Sequence, residues 1–136
     1  MDSSFFVSLY LRDRHFAEAK LRISQHARVW LTPLHRAEWA HSVAQHVFLR
    51  KISADQAQTV CVDFERDRAS RFWLEVNVPE MAFERCVQLA QQYVARLNSA
   101  TLDTLHVASA LELGAKEFWT FDDRQAKLAR AVGLKL

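Results

Sequence analysis

Glycine and proline are scarce in this chain, two of each among 136 residues. So little turn-forming material predicts many helices joined by short connections. No glycine-rich loop is present to cradle phosphates, which excludes a nucleotide-hydrolysing fold of that type. Cysteine is equally sparse. Cys61 and Cys86 lack the spacing of a disulfide framework and are read as reduced, buried thiols. No apolar run approaches the ~18 residues of a membrane span. The stretch Phe5-Phe6-Val7-Ser8-Leu9-Tyr10 is short, follows an aspartate and has no basic leader, so it is not read as a signal peptide. Neither sign of charge prevails: 18 basic residues face 16 acidic ones, a formal charge of +2. A basic surface would have to come from segregation, not excess. The expectation is a soluble, cytoplasmic protein without membrane contact.

What the chain does have is alternation. Short runs rich in aromatic and β-branched residues predict strands at Val29–Thr32, Phe72–Val76, Phe118–Phe121 and Gly133–Leu136. Helical spacing lies between them. Leu102, Leu105, Val107, Ala108 and Leu111 fit one helix closed by Gly114. Val87, Ala90, Val94 and Leu97 fit another, opened by Pro79 and Glu80, and Pro33 opens a third through Ala37, Ala40, Ala44 and Phe48. Strand–helix alternation predicts a single α/β domain over residues 1–136. Its short parallel sheet would have four or five strands with helices on both faces. Parallel strands buried on both sides read as nearly continuous apolar runs.

Four acids stand out: Asp2, Glu38, Asp103 and Asp122. Each lies at or near a predicted helix start, and in such a fold helix starts collect along the sheet edge where ligands bind. Singly, each has a local explanation. Asp2 and Asp122 could cap helices, Asp103 suits a first turn through the helix dipole, and Glu38 could be a solvated residue. Together they would repel one another, and a divalent cation is the usual remedy. Asp122 directly follows the apolar run Phe118-Trp119-Thr120-Phe121, so a strand delivers its carboxylate.

The segments Asp2-Ser3-Ser4-Phe5-Phe6-Val7-Ser8-Leu9-Tyr10, Leu102-Asp103-Thr104-Leu105-His106-Val107-Ala108 and Thr120-Phe121-Asp122 resemble, in order, the motifs of PIN-domain proteins. Pro33–Glu38 matches the family's glutamate position. Within the family the chain looks most like the VapC toxins of bacterial toxin–antitoxin pairs. The resemblance implies a metal-dependent endoribonuclease with Asp2, Glu38, Asp103 and Asp122 as catalytic acids. Asp2, Asp103 and Asp122 would hold Mg²⁺ or Mn²⁺. It also implies an RNA substrate, a VapB-like antitoxin and a homodimer. Ser4, Thr120 and Asp123 are supporting candidates, with Asp122 facing the metal and Asp123 capping the last helix. Each of the three has a structural alternative, a backbone-satisfying serine, a strand filler or a cap.

The chain departs from the family pattern twice. Asn98, Ser99 and Ala100 stand where a basic residue often precedes the central aspartate, which weakens any claim to a cationic phosphate clamp there. Only Met1 precedes Asp2, where the family has several apolar residues; either a vestigial first strand or a start a few codons upstream is expected. Competing motifs fall short. Glu38-x-x-His41 occurs once where a di-iron bundle needs two copies. His35 and His41 lack the remaining ligands of a zinc site and are read as surface or half-buried. His106 is read as packing. Asp2-Ser3-Ser4 lacks the second acid of haloacid-dehalogenase phosphatases. Arg12, Arg14, Arg50, Lys51, Arg66, Arg68 and Arg71 do not by themselves define an RNA surface, and Asp63–Arg68 reads as a salt-bridged, solvated helix. The alternative function is a PIN scaffold that binds RNA or protein without cutting it.

Overall fold

Thr32 and Ser53 show why the two longest helices begin where they do. Each is an extended residue whose hydroxyl accepts the backbone N–H three residues on, from His35 and Gln56 respectively. In return, His35 Nδ1 accepts from Thr32 N at 2.9 Å and Gln56 Oε1 from Ser53 N at 2.8 Å. Two orphan donors are thus satisfied at each helix start, a capping box worth ~1 kcal/mol. The helices are α3 (Pro33–Phe48) and α4 (Ala54–Ala69). In this computed structural model, which describes residues 1–25 and 29–136, the chain divides into two compact units: Ser3–Val76, and Met1–Asp2 with Asn77–Leu136.

The unit Ser3–Val76 holds α1 (Ser3–Leu11), α2 (Phe16–Gln25), β1 (Trp30–Leu31), α3, α4 and β2 (Leu74–Glu75). Its core is aromatic. Trp39 of α3 stacks on Phe64 of α4 at 4.2 Å between ring centroids, and Tyr10 of α1 meets Phe64 edge-on at 5.3 Å. Phe6 meets Trp73 at 4.9 Å. Such pairs add ~0.5–1.5 kcal/mol each beyond area burial. The buried face of α3 is His35, Trp39 and Val43. The stripe Ala37, Ala40, Ala44 and Phe48 faces water instead, with Phe48 84% exposed. Bulky rings displaced small alanines because they bury more area per position. His35, read as surface or half-buried, is buried in its capping box.

The sheet corrects the sequence reading. β1 and β2 pair in parallel, Trp30 against Leu74 and Leu31 against Glu75, and this two-stranded sheet is the only one among the described residues. The four or five strands expected are not found among the described residues. β2 is exposed, not buried on both sides. The physical reason is that strand ends are taken by helix starts: Thr32 turns away to cap α3, and Phe118–Phe121 runs directly into the cap of the last helix.

In the other unit, α5 (Met81–Leu89) continues through a π-helical turn (Ala90–Val94) into the short α6 (Ala95–Leu97). Asn98 ends this run in the left-handed region at φ 51°. Next come α7 (Thr101–Glu112) and α8 (Asp123–Ala131). α5 packs most extensively on α7, whose residues Thr104 to Ala110 are all buried. Thr104 and Ser109 are satisfied within the helix: Thr104 Oγ1 donates to Ala100 O at 3.0 Å and Ser109 Oγ to Leu105 O at 2.7 Å. Gly114 follows α7 at φ 76°, as its role as helix stop requires. Of the two C-terminal strands expected, a single parallel bridge forms, Glu117 with Lys135.

Candidate active site

The last helix starts at Asp122. Its Oδ1 accepts the backbone N–H groups of Arg124 (2.8 Å) and Gln125 (3.0 Å), so Asp122 is the N-cap of α8. Asp123, expected to cap, is the exposed first helical residue. Three positions after the cap, where helix starts favour Glu or Gln, stands Gln125. It is fully buried, at 0% exposure.

Gln125 and Thr120 connect the acids. The Thr120 hydroxyl lies 2.7 Å from Gln125 Oε1 and 3.0 Å from Asp2 Oδ2, one proton shared between two acceptors. The same oxygen accepts from Asp122 N at 3.0 Å. Gln125 Nε2 donates to the backbone carbonyl of Asp103 at 3.1 Å. Asp2, 5% exposed, is anchored further by its own N–H, which donates to Trp119 O at 2.9 Å. Burial lowers the Met1 ammonium from 8.0 to about 6, and the negative charge of Asp2 opposes that fall. Asp103 stands in the first turn of α7, where its Oδ2 accepts from Ala100 N at 3.1 Å.

Three of the four acids, Asp2, Asp103 and Asp122, therefore belong to one hydrogen-bonded network in one unit. Glu38 belongs to the other unit, on α3. There it accepts from the Ser3 hydroxyl through a short hydrogen bond. Ser3 thus supports the glutamate. His41 is exposed, and His106 is buried within α7.

The family profile of the PIN domain matches residues 1–131. The chain belongs to the PIN-domain family. No curated protein matches it. The PIN domain is a nuclease fold, and its members generally cut with the help of divalent cations. Carboxylate oxygens are the donors that Mg²⁺ and Mn²⁺ prefer, so the donor set fits such an ion in kind. Among the described residues no group of three or more His, Cys, Asp or Glu side chains stands close enough together to hold one. Asp103 and Asp122 each turn a carboxylate oxygen towards their own helix start, and Gln125 ties the network to Asp103 through its backbone carbonyl.

Proposed function

We propose that this PIN domain is a metal-dependent endoribonuclease, the toxin of a VapB/VapC-type pair, and that Asp2, Asp103 and Asp122 hold the cation. The observation that carries the reading is the buried carboxylate of Asp2, hydrogen-bonded to Thr120, which in turn ties it to the Asp122 cap and to Gln125. A bound Mg²⁺ or Mn²⁺ would supply charge neutralisation at the phosphoryl group and a more acidic water. The chain's own part is orientation. Thr120 fixes one oxygen of Asp2, Gln125 holds Thr120 to the first turn of α7, and Ser3 holds Glu38. Glu38 is proposed as the fourth acid, and Thr120 and Ser3 as positioning residues.

The test is cleavage of structured RNA with Mn²⁺, with EDTA as control. Asp103→Asn should abolish cleavage while leaving the fold, since an amide oxygen can still accept from Ala100 N. Undiminished cleavage by that variant, or equal cleavage in EDTA, refutes the mechanism. Growth arrest on expression, relieved by Asp103→Asn and by a co-expressed antitoxin, would carry the toxin role. The commitment of Asp103 and Asp122 to helix starts favours a second reading, a non-cutting scaffold for RNA or protein. Wild-type silence on a broad RNA panel would select it.

A further inference from the structure

The unit Ser3–Val76 carries a groove of about 630 Å³ lined from α1, α2 and α4, and none of the acids above lines it. Its floor is apolar, formed by Leu9, Phe16, Ile23 and Phe72. Phe72 is held by Trp73, with ring centroids 4.7 Å apart, yet remains 50% exposed. Two cations share the Phe16 ring: the Arg12 guanidinium at 5.5 Å from its centroid and the Lys20 ammonium at 6.0 Å. Neither has a carboxylate partner among the described residues. The groove's two acids are already engaged. Asp63 pairs with Arg66 at 2.9 Å, and Asp67 accepts from the Tyr10 hydroxyl at 2.6 Å. Arg12, Lys20 and Arg66 stand against Asp63 and Asp67, so the groove keeps a surplus of one positive charge over an aromatic floor. Arg12 also adopts φ 51°, a left-handed conformation that glycine takes more readily. An arginine there sets a cation at the groove mouth at a backbone cost.

We propose that this groove binds single-stranded RNA, with a phosphate held between Arg12 and Lys20 and a base stacked on Phe72. Cations that track the backbone and an exposed ring that stacks a base form the combination by which single strands are bound. A peptide of acidic side chains alone would feel the same cations but has no ring to set on a stacking platform, so the exposed Phe72 favours RNA over such a peptide. The inference rests on the RNA-directed reading above, and its test separates the two.

Fluorescence anisotropy of the full chain in EDTA would follow a short labelled oligouridine and an abasic strand of equal length, with polyglutamate as competitor. Arg12→Gly suits the local backbone, so it removes the cation without endangering the fold. Combined with Lys20→Gln it should weaken binding by about tenfold or more. It should also flatten the slope of log K on log salt by about 0.7 for each phosphate no longer neutralised. Phe72→Leu should weaken oligouridine by about tenfold and leave the abasic strand unaffected. Unchanged affinity in the double variant overturns the groove; if that variant still cleaves RNA with Mn²⁺, the nuclease reading survives. Abasic strand and oligouridine binding equally, or polyglutamate displacing RNA at equal charge, assigns the groove to an acidic polypeptide and overturns the inference. A wild-type chain that binds neither strand overturns it as well.

Discussion

Thr120→Val is the sharpest probe of the network, because valine keeps the shape of threonine and deletes one oxygen. That oxygen lies within 3.0 Å of Gln125 Oε1, Asp2 Oδ2 and Asp122 N. A hydrogen bond to a charged acceptor contributes ~1.5–3 kcal/mol, and a buried acceptor left unpaired costs ~1–3 kcal/mol. Gln125 is fully buried, so water cannot replace its lost donor. Asp122 N lies at a half-exposed helix start and recovers part of its loss from solvent. The expected net destabilisation is about 3 kcal/mol. For a chain of this length the unfolding entropy is roughly 0.3 kcal/mol/K, so Tm should fall by about 10 °C. Thr120→Ser keeps the oxygen and should recover most of the difference, losing about one methyl's worth of burial. Differential scanning calorimetry in EDTA measures both. If the valine variant melts within about 2 °C of the serine variant, the hydroxyl does not hold the acids together and the network is an incidental set of contacts.

Three further outcomes follow from the same structure. Mn²⁺ at a hundredfold excess over its Kd should stabilise the wild type by ~2.7 kcal/mol, and Asp103→Asn should lose most of that gain; an unmoved wild-type midpoint would mean that the acids act only as caps. The Tyr10 proton is held above its ordinary 10.0, first by burial and then by its hydrogen bond to Asp67. The unfolded chain releases that proton near 10.0 while the folded chain keeps it, so stability is intact below that pH and falls as pH rises past it. Tyr10→Phe should flatten this decline in urea midpoints taken on either side of pH 10, and an equally steep decline would remove Tyr10 as its source. Trp39, 4% exposed, has an indole N–H with no hydrogen-bond partner among the described residues. Trp39→Phe sheds that unpaired donor along with some packing and should cost less than about 1 kcal/mol, against ~3–5 kcal/mol for Trp39→Ala; similar chemical-denaturation losses for the two would show that the donor carries no penalty.

Features read correctly from sequence share short range. Pro33 opening α3, Gly114 closing the segment after α7 and the ion pair Asp63–Arg66 on α4 all depend on residues within a few positions of one another. Caps, left-handed stops and i,i+3 pairs are local physics, and a linear chain displays them. The family assignment was legible for a related reason: each motif is a contiguous run, and the runs occur in order through residues 1–131. Gln125 was legible in principle, three positions after the Asp122 cap, but its role was not. Nothing in the run Asp122-Asp123-Arg124-Gln125 says that its amide reaches Asp103 O, 22 positions away.

The remaining features were decided by the closing of the chain. Asp2 and Thr120 meet across 118 positions and Ser3 and Glu38 across 35, and such pairs carry no periodicity. Which face of α3 turns inward depended on rings arriving from α1 and α4, so Trp39 is buried while the alanine stripe is left to water. Strand propensity at Phe118–Phe121 could not show that Thr120 and Asp122 would be drawn into the start of α8, which left a single bridge where a strand pair was expected. A sequence carries the order of its motifs and the local signals at helix ends. Which carboxylate oxygen faces which donor is set only by long-range packing, whose energies exceed the local preferences they override.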